Sequence, residues 1–189
     1  MQQRIQEMEN PQIPKLWLRV TAAAEKLSSS DILLATPRQY AEQLAIYEHR
    51  LYANIQHYEF IGQKWGRNNP NRFTDTPNVI AYTEHYNQVN SWYIYKILHT
   101  PTISERASII SKLIHIMLFS YQFNNFLGAF GILFALNSVG IYRLVKTWEQ
   151  VPVEKRRIVW IFSKFIASAF RLYKSEFNHV SLDCFLIDV

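Results

Sequence analysis

The sequence predicts an all-α fold, built as an orthogonal array of helices. Three observations lead there. Apolar residues recur at helical spacing through most of the chain, as in Tyr40, Leu44, Tyr47, Leu51 and Ile55, and such spacing puts them on one helix face. Glycine is scarce, 5 of 189 residues, too few for the many tight turns of a sandwich or barrel. Alternating strand patterns are nearly absent. The apolar fraction of 49% against 19% charged belongs to a chain that buries a core, and this length can bury one without staples. One cysteine, Cys184, rules out a disulfide framework and a cysteine zinc site.

The elements follow in order. Residues 1–34 are expected to be a peripheral segment. Its start is polar, without the apolar run of a secretory signal. Thr36-Pro37 then pairs a cap residue with a proline for the first helical turn, and the helix it opens should run to about residue 55. A short helix is expected over 57–66, holding Phe60, Ile61 and Trp65, followed by a loop rich in Asn, Thr and Pro. The next helix, 78–98, carries Tyr82, Tyr86, Val89, Tyr93 and Ile97 as its stripe, with Glu84, His85, Gln88 and Ser91 off it. Thr102 and Glu105 have capping-box spacing and open a helix to about 123. Asn124 or Asn125 caps a helix over 126–137 that is apolar on nearly every side and therefore central. Ser138-Val139-Gly140 reads as a turn, 141–151 as a shorter helix ended by Pro152, and 156–177 as the last long helix. The core is thus expected over 35–178, with an irregular tail over 179–189.

Charge and motif content exclude several functions. Lys and Arg number 20 against 15 Asp and Glu, a net charge of +5, yet the densest basic cluster, Lys155-Arg156-Arg157, has Glu154 beside it. That is not a concentrated nucleic-acid stripe. No formal charge lies between His115 and Arg143, but Ser120, Gln122, Asn124, Asn125, Asn137 and Ser138 interrupt the stretch. Amides at mid-membrane would be unsatisfied in lipid, so two buried helices are expected rather than a stable membrane span. The six histidines show no His-x3-His pairing for a metal, and the adjacent pairs Glu48-His49 and Glu84-His85 do not face each other on a helix. No nucleophile elbow or phosphate loop is present. No cofactor, metal or catalytic residue is expected, and function is sought in a surface.

Two segments carry that surface. One runs Pro77-Asn78-Val79-Ile80-Ala81-Tyr82 through Trp92. The other holds Asn124-Asn125-Phe126, an apolar helix with small residues, Leu136-Asn137-Ser138, Arg143-Leu144 and Thr147-Trp148-Glu149. Together with Arg38-Gln39-Tyr40-Ala41-Glu42-Gln43-Leu44 and with Glu59-Phe60-Ile61 and Trp65, they resemble the catalytic domain of Ras-type guanine-nucleotide exchange factors over residues 35–178. The resemblance implies a cytoplasmic protein that binds a Ras-family small GTPase, gripping its switch II segment in a hydrophobic bowl to promote GDP release. The matching positions are Trp65, then Ile80, Tyr82, Glu84 and Asn87, then Phe130, Asn137 and Tyr142, and Phe170 on the last helix. Taken singly, Ile80 and Phe130 also read as plain core and Asn137 as a helix end. Arg143 and Glu149 are expected as internal polar residues of the core.

In this family a later helical hairpin wedges switch I open, and the chain ends at Val189 without one. The resemblance therefore implies a truncated array, capture of a GTPase with weak exchange, or a degenerate binding module without exchange. A small membrane-associated helical protein is the reading from outside the family. Without the hairpin, the helices over 126–137 and 153–177, with Phe162, Phe165, Ile166 and Phe170, should bare apolar surface. Either the tail folds over it or a second copy covers it in a homodimer, the latter slightly favoured.

Overall fold

The computed structural model describes residues 35–176, with side chains as far as Ser168. The segments 1–34 and 177–189, and with them the expected peripheral segment and tail, lie outside the described residues. Every described element is helical: α1 Pro37–Ala53, a 3₁₀ segment His57–Gln63, α2 Arg72–Asp75, α3 Pro77–His99, α4 Ile103–Gln122, α5 Phe126–Asn137, α6 Val139–Tyr142, α7 Val145–Gln150 and α8 Val153–Glu176. The all-α array is as the sequence predicts.

Local side-chain caps set three helix starts, those of α1, α4 and α5. Thr36 accepts a hydrogen bond from the Gln39 amide at 3.3 Å, and Gln39 Oε1 accepts one from the Thr36 amide at 3.4 Å, with Pro37 in the first turn. This reciprocal pair satisfies two amides that a helix start leaves orphaned. At α4 the Thr102 hydroxyl accepts from the Glu105 amide. Before α5 both asparagines are used. Asn124 sits at φ +57°, a left-handed conformation that Asn tolerates, and turns the chain. Asn125 then caps α5 by accepting from the Gly128 amide at 3.2 Å.

The core is a stack of α4 and α5 against α1 and α3. On α4, Ile109, Ile110, Leu113, Ile114, Ile116 and Met117 are fully buried, and α5 buries Ala129, Ile132, Leu133, Ala135 and Leu136. Each large aliphatic side chain so buried contributes about 1.5–3 kcal/mol relative to exposure. The uncharged stretch between His115 and Arg143 is thereby accounted for as the end of α4 and the buried α5. No described helix is long and apolar enough to cross a membrane. Glycine lets α3 approach α5 closely, since a Cβ on Gly131 would lie 3.3 Å from the Tyr86 ring.

Five local expectations are corrected. The short helix over 57–66 is broken at Ile61, which is extended, and at Gly62, whose φ of +74° is left-handed; glycine adopts that conformation without strain. On α1 the buried face is Ala41, Leu44 and Glu48, with Tyr40, Tyr47 and Leu51 at its edges. On α3, Val89, Tyr93 and Ile97 are buried as expected, but so is His85, while Tyr82 and Tyr86 are half-buried.

The helix expected over 141–151 is two short ones, α6 and α7, joined at Arg143 and Leu144. The Trp148 indole N–H folds back to the Ile141 carbonyl at 3.0 Å across the joint. That joint turns Thr147 inward and leaves Arg143 and Glu149 exposed, so they are not internal polar residues. Arg106 of α4 has the internal role instead, donating from Nε to Thr147 Oγ1 at 3.3 Å and from Nη1 to the Thr100 carbonyl at 3.0 Å.

Candidate functional site

The first helix of the candidate surface, α3, starts without a side-chain cap from its own N-cap residue, Thr76. Its orphan amides go to Glu59, a fully buried carboxylate from the 3₁₀ segment. Glu59 accepts from the Asn78 amide at 2.9 Å, the Val79 amide at 3.1 Å, Asn78 Nδ2 at 2.7 Å and the Gln56 amide at 3.1 Å. Burial pushes its carboxyl up, but the hydrogen bonds from Asn78, Gln56 and Val79 outweigh that and hold it below the usual range. A negative charge at a helix N-terminus also meets the favourable end of the helix dipole. This bond set fixes the start of the 3₁₀ segment to the first turn of α3.

The sequence-predicted residues fall as follows. Trp65 is half-buried and meets Phe60 edge-on, ring centroids 6.1 Å apart. Ile80, Tyr82 and Asn87 are half-buried on α3, and Glu84 is exposed. The Tyr82 ring lies 6.0 Å from Tyr52 of α1. Burial, then the charges of Glu48 and Tyr52, push its hydroxyl up to about 12, so it is a neutral hydrogen-bonding group at any physiological pH. Phe130 is half-buried on α5 and stacks on the exposed Phe126 at 6.1 Å. Asn137 is exposed at the end of α5 and donates to Ser163 Oγ of α8 at 2.9 Å. Tyr142, on α6, is 71% exposed. Phe170 lies within the backbone of α8, its side chain outside the described residues.

The carriers of most of these residues are in mutual contact. Helix α3 packs along α5, and α6 packs against both. Half-exposed aromatic and amide groups from three helices thus belong to one packed block. Among the nine, the Asn137 side chain is hydrogen-bonded to Ser163, and Trp65, Tyr82 and Phe130 meet the rings of Phe60, Tyr52 and Phe126.

Residue patterns alone missed the polar cluster that joins these helices. Glu48 of α1 is 4% exposed and His85 of α3 is 7% exposed. His85 Nε2 lies 3.2 Å from Glu48 Oε1, and Asn125 Nδ2 donates to Glu48 Oε2 at 2.5 Å. The edge of Tyr47 meets the His85 ring at 4.9 Å. Gly128 makes room for the cluster, since a Cβ there would come 2.7 Å from Asn125 Nδ2 and 2.9 Å from Glu48 Oε2. Nearby, the Tyr40 and Tyr93 hydroxyls are 3.5 Å apart, and burial pushes Tyr40 up to about 12. The available signal was Glu48 itself, an acid one turn from Leu44 on the buried face, because a buried charge needs a partner from another element. Both glutamate–histidine neighbours were visible in sequence, but the bonded pair takes one member from each.

Among the described residues no group of His, Cys, Asp and Glu is placed to hold a metal ion. Comparison with known proteins agrees with the helical block. The RasGEF domain family matches residues 39–187. Relatives include Ras guanine nucleotide exchange factor E of Dictyostelium discoideum, 30% identical over 152 residues, covering 78% of this chain and 14% of that protein. The Ras-specific guanine nucleotide-releasing factors RalGPS1 of Gallus gallus and RalGPS2 of Homo sapiens are each 32% identical over 151 residues, covering 80% of this chain and 25% of theirs. The chain thus spans a quarter or less of the length of these relatives. With the family matched across most of its length and every described element helical, the chain belongs to the RasGEF domain family.

Proposed function

We propose that this chain binds a Ras-family small GTPase in the cytoplasm and promotes release of its GDP, with residues 35–178 as the working core. The observation that carries the reading is the block of α3, α5 and α6, which offers Tyr82, Asn87, Phe130 and Tyr142 as partly exposed aromatic and amide groups. Aromatic anchors with a few polar groups form the energetic centre of protein interfaces. The domain carries out no covalent chemistry. A surface that prefers the nucleotide-free GTPase weakens nucleotide binding by the same factor, because coupling between two ligands is reciprocal.

The test measures release of a fluorescent GDP analogue from a panel of Ras-family GTPases, alongside capture of the nucleotide-free forms. Tyr142→Ala should reduce capture by about tenfold or more, since an interface hot spot contributes on the order of 2 kcal/mol, and leave thermal stability unchanged within about 0.5 kcal/mol. Capture without accelerated release would assign the chain as a GTPase-binding module instead. Absence of capture across the panel would overturn both.

A further inference from the structure

Helix α8 presents two different faces. Val159 and Ile166 are buried, and Phe162 meets Tyr121 of α4 edge-on at 5.1 Å, so this side is seated on α4 and α5. The opposite side has no such seat among the described residues. Val153, Trp160, Ile161 and Phe165 are 64%, 61%, 47% and 56% exposed. Arg156, Arg157 and Lys164 are exposed as well, and Lys164 Nζ sits 5.8 Å over the Trp160 ring. At 3.6 residues per turn, Val153, Arg157, Trp160 and Lys164 align outward with Ile161 beside them.

The charge on this face decides what suits it. Between Val153 and Ser168, Arg156, Arg157 and Lys164 are exposed on or beside this face, against one acid, Glu154. Lys155, half-buried, lies on the seated side instead, where partial desolvation and then its charge hold His115 of α4 below its usual value. An antiparallel two-fold contact centred on Trp160 and Ile161 would bring Arg157 of one copy towards Lys164 of the other, and like charges brought together oppose association. A tryptophan with flanking cations on an exposed helix face is instead the composition that lies in the headgroup layer of an anionic bilayer, rings at the interface and ammonium or guanidinium groups on phosphate. We infer that the outward face of α8, centred on Arg157, Trp160, Ile161 and Lys164, docks on an anionic lipid surface. The site is separate from the α3, α5 and α6 block, so it stands or falls apart from GTPase capture.

Cosedimentation of the full chain with sucrose-loaded vesicles tests this, comparing phosphatidylcholine alone with phosphatidylcholine containing about 30 mol% phosphatidylserine, a cytoplasmic-leaflet type of surface. The chain should pellet with the anionic vesicles and remain in solution with the neutral ones, and raising salt should release it. Each cation near such a surface is worth about 1 kcal/mol, about fivefold, so R156E/R157E together should lower binding at least about twentyfold. Trp160→Ala should lower it several-fold with an unchanged melting temperature, because the side chain is exposed. The control is R38E/R50E on α1, which makes the same change in net charge at exposed positions of another helix and should retain binding. Equal binding to both vesicle types, or equal loss in the two double variants, would overturn the inference. So would a dimer in light scattering that Trp160→Ala converts to monomer.

Discussion

Glu59 and Glu48 are both buried carboxylates, 0% and 4% exposed, and they are held in opposite ways. Glu59 is ringed by N–H donors, three from backbone and one from the Asn78 side chain, and the backbone pair at Asn78 and Val79 belongs to the first turn of α3. Glu48 receives only side chains, His85 from α3 and Asn125 from the start of α5. The first is a helix cap supplied from 19 residues away; the second is a joint between three helices. A cap depends on one segment reaching one helix end. A joint depends on the whole array being assembled. The two therefore anchor different parts of the molecule, Glu59 the start of α3 beside Ile80 and Glu48 the packing of α3 beside α5.

The largest expected effect is at Glu59. Glu59→Ala leaves four donors without their acceptor in a dry site, and unmet buried groups cost about 1–3 kcal/mol each before relaxation. A net loss of about 3 kcal/mol in urea unfolding is expected; a loss below about 1 kcal/mol would show that water replaces the carboxylate and that the cap matters little. Glu48→Ala should cost less, about 2 kcal/mol, because only two partners are stranded.

Glutamine sharpens the contrast. At Glu59 every neighbour is a donor, so whichever way the amide turns its NH₂ opposes an N–H, and Glu59→Gln should recover little. At Glu48 one neighbour is an imidazole, whose ring nitrogen accepts a hydrogen bond in one tautomer, and Glu48→Gln should recover about half of the loss. Equal recovery at both sites would break the distinction drawn between cap and joint.

The smallest effect is in pH. The Glu59 carboxyl is lowered in the folded state, so its ionisation stabilises the fold above the unfolded value of about 4.3. That stabilisation is lost progressively as pH falls through the folded value. The stability difference between the parent and Glu59→Gln should be flat from neutral pH down to about 5 and narrow below about 4.3. A difference that widens on acidification would mean the carboxyl is not held ionised by its donors.

Much of the fold was legible because its signals are local. Thr36-Pro37 and Thr102 mark helix starts through their own hydroxyls and ring, and the all-round apolar 126–137 segment could be stable only inside. The break at Gly62 and the split between α6 and α7 were not legible, since both hold through bonds or dihedrals that a hydrophobic period does not encode, such as Trp148 reaching back to Ile141. For the surface, the family pattern named Tyr82, Asn87, Phe130 and Tyr142, while periodicity alone gave no reason to separate Tyr142, exposed, from Ile141, fully buried.

The sequence by itself determined the helical class, the caps of α1 and α4, the central place of α5 and the family, because each rests on residues near one another in the chain or on a linear pattern. Only the tertiary structure decided that Glu59 caps α3, that Glu48 chooses His85 and Asn125 over its neighbour His49, and that Arg106 rather than Arg143 is drawn inward. A buried polar group must find its partner wherever the packed helices bring one within about 3 Å, and that partner is chosen by the arrangement of helices in space.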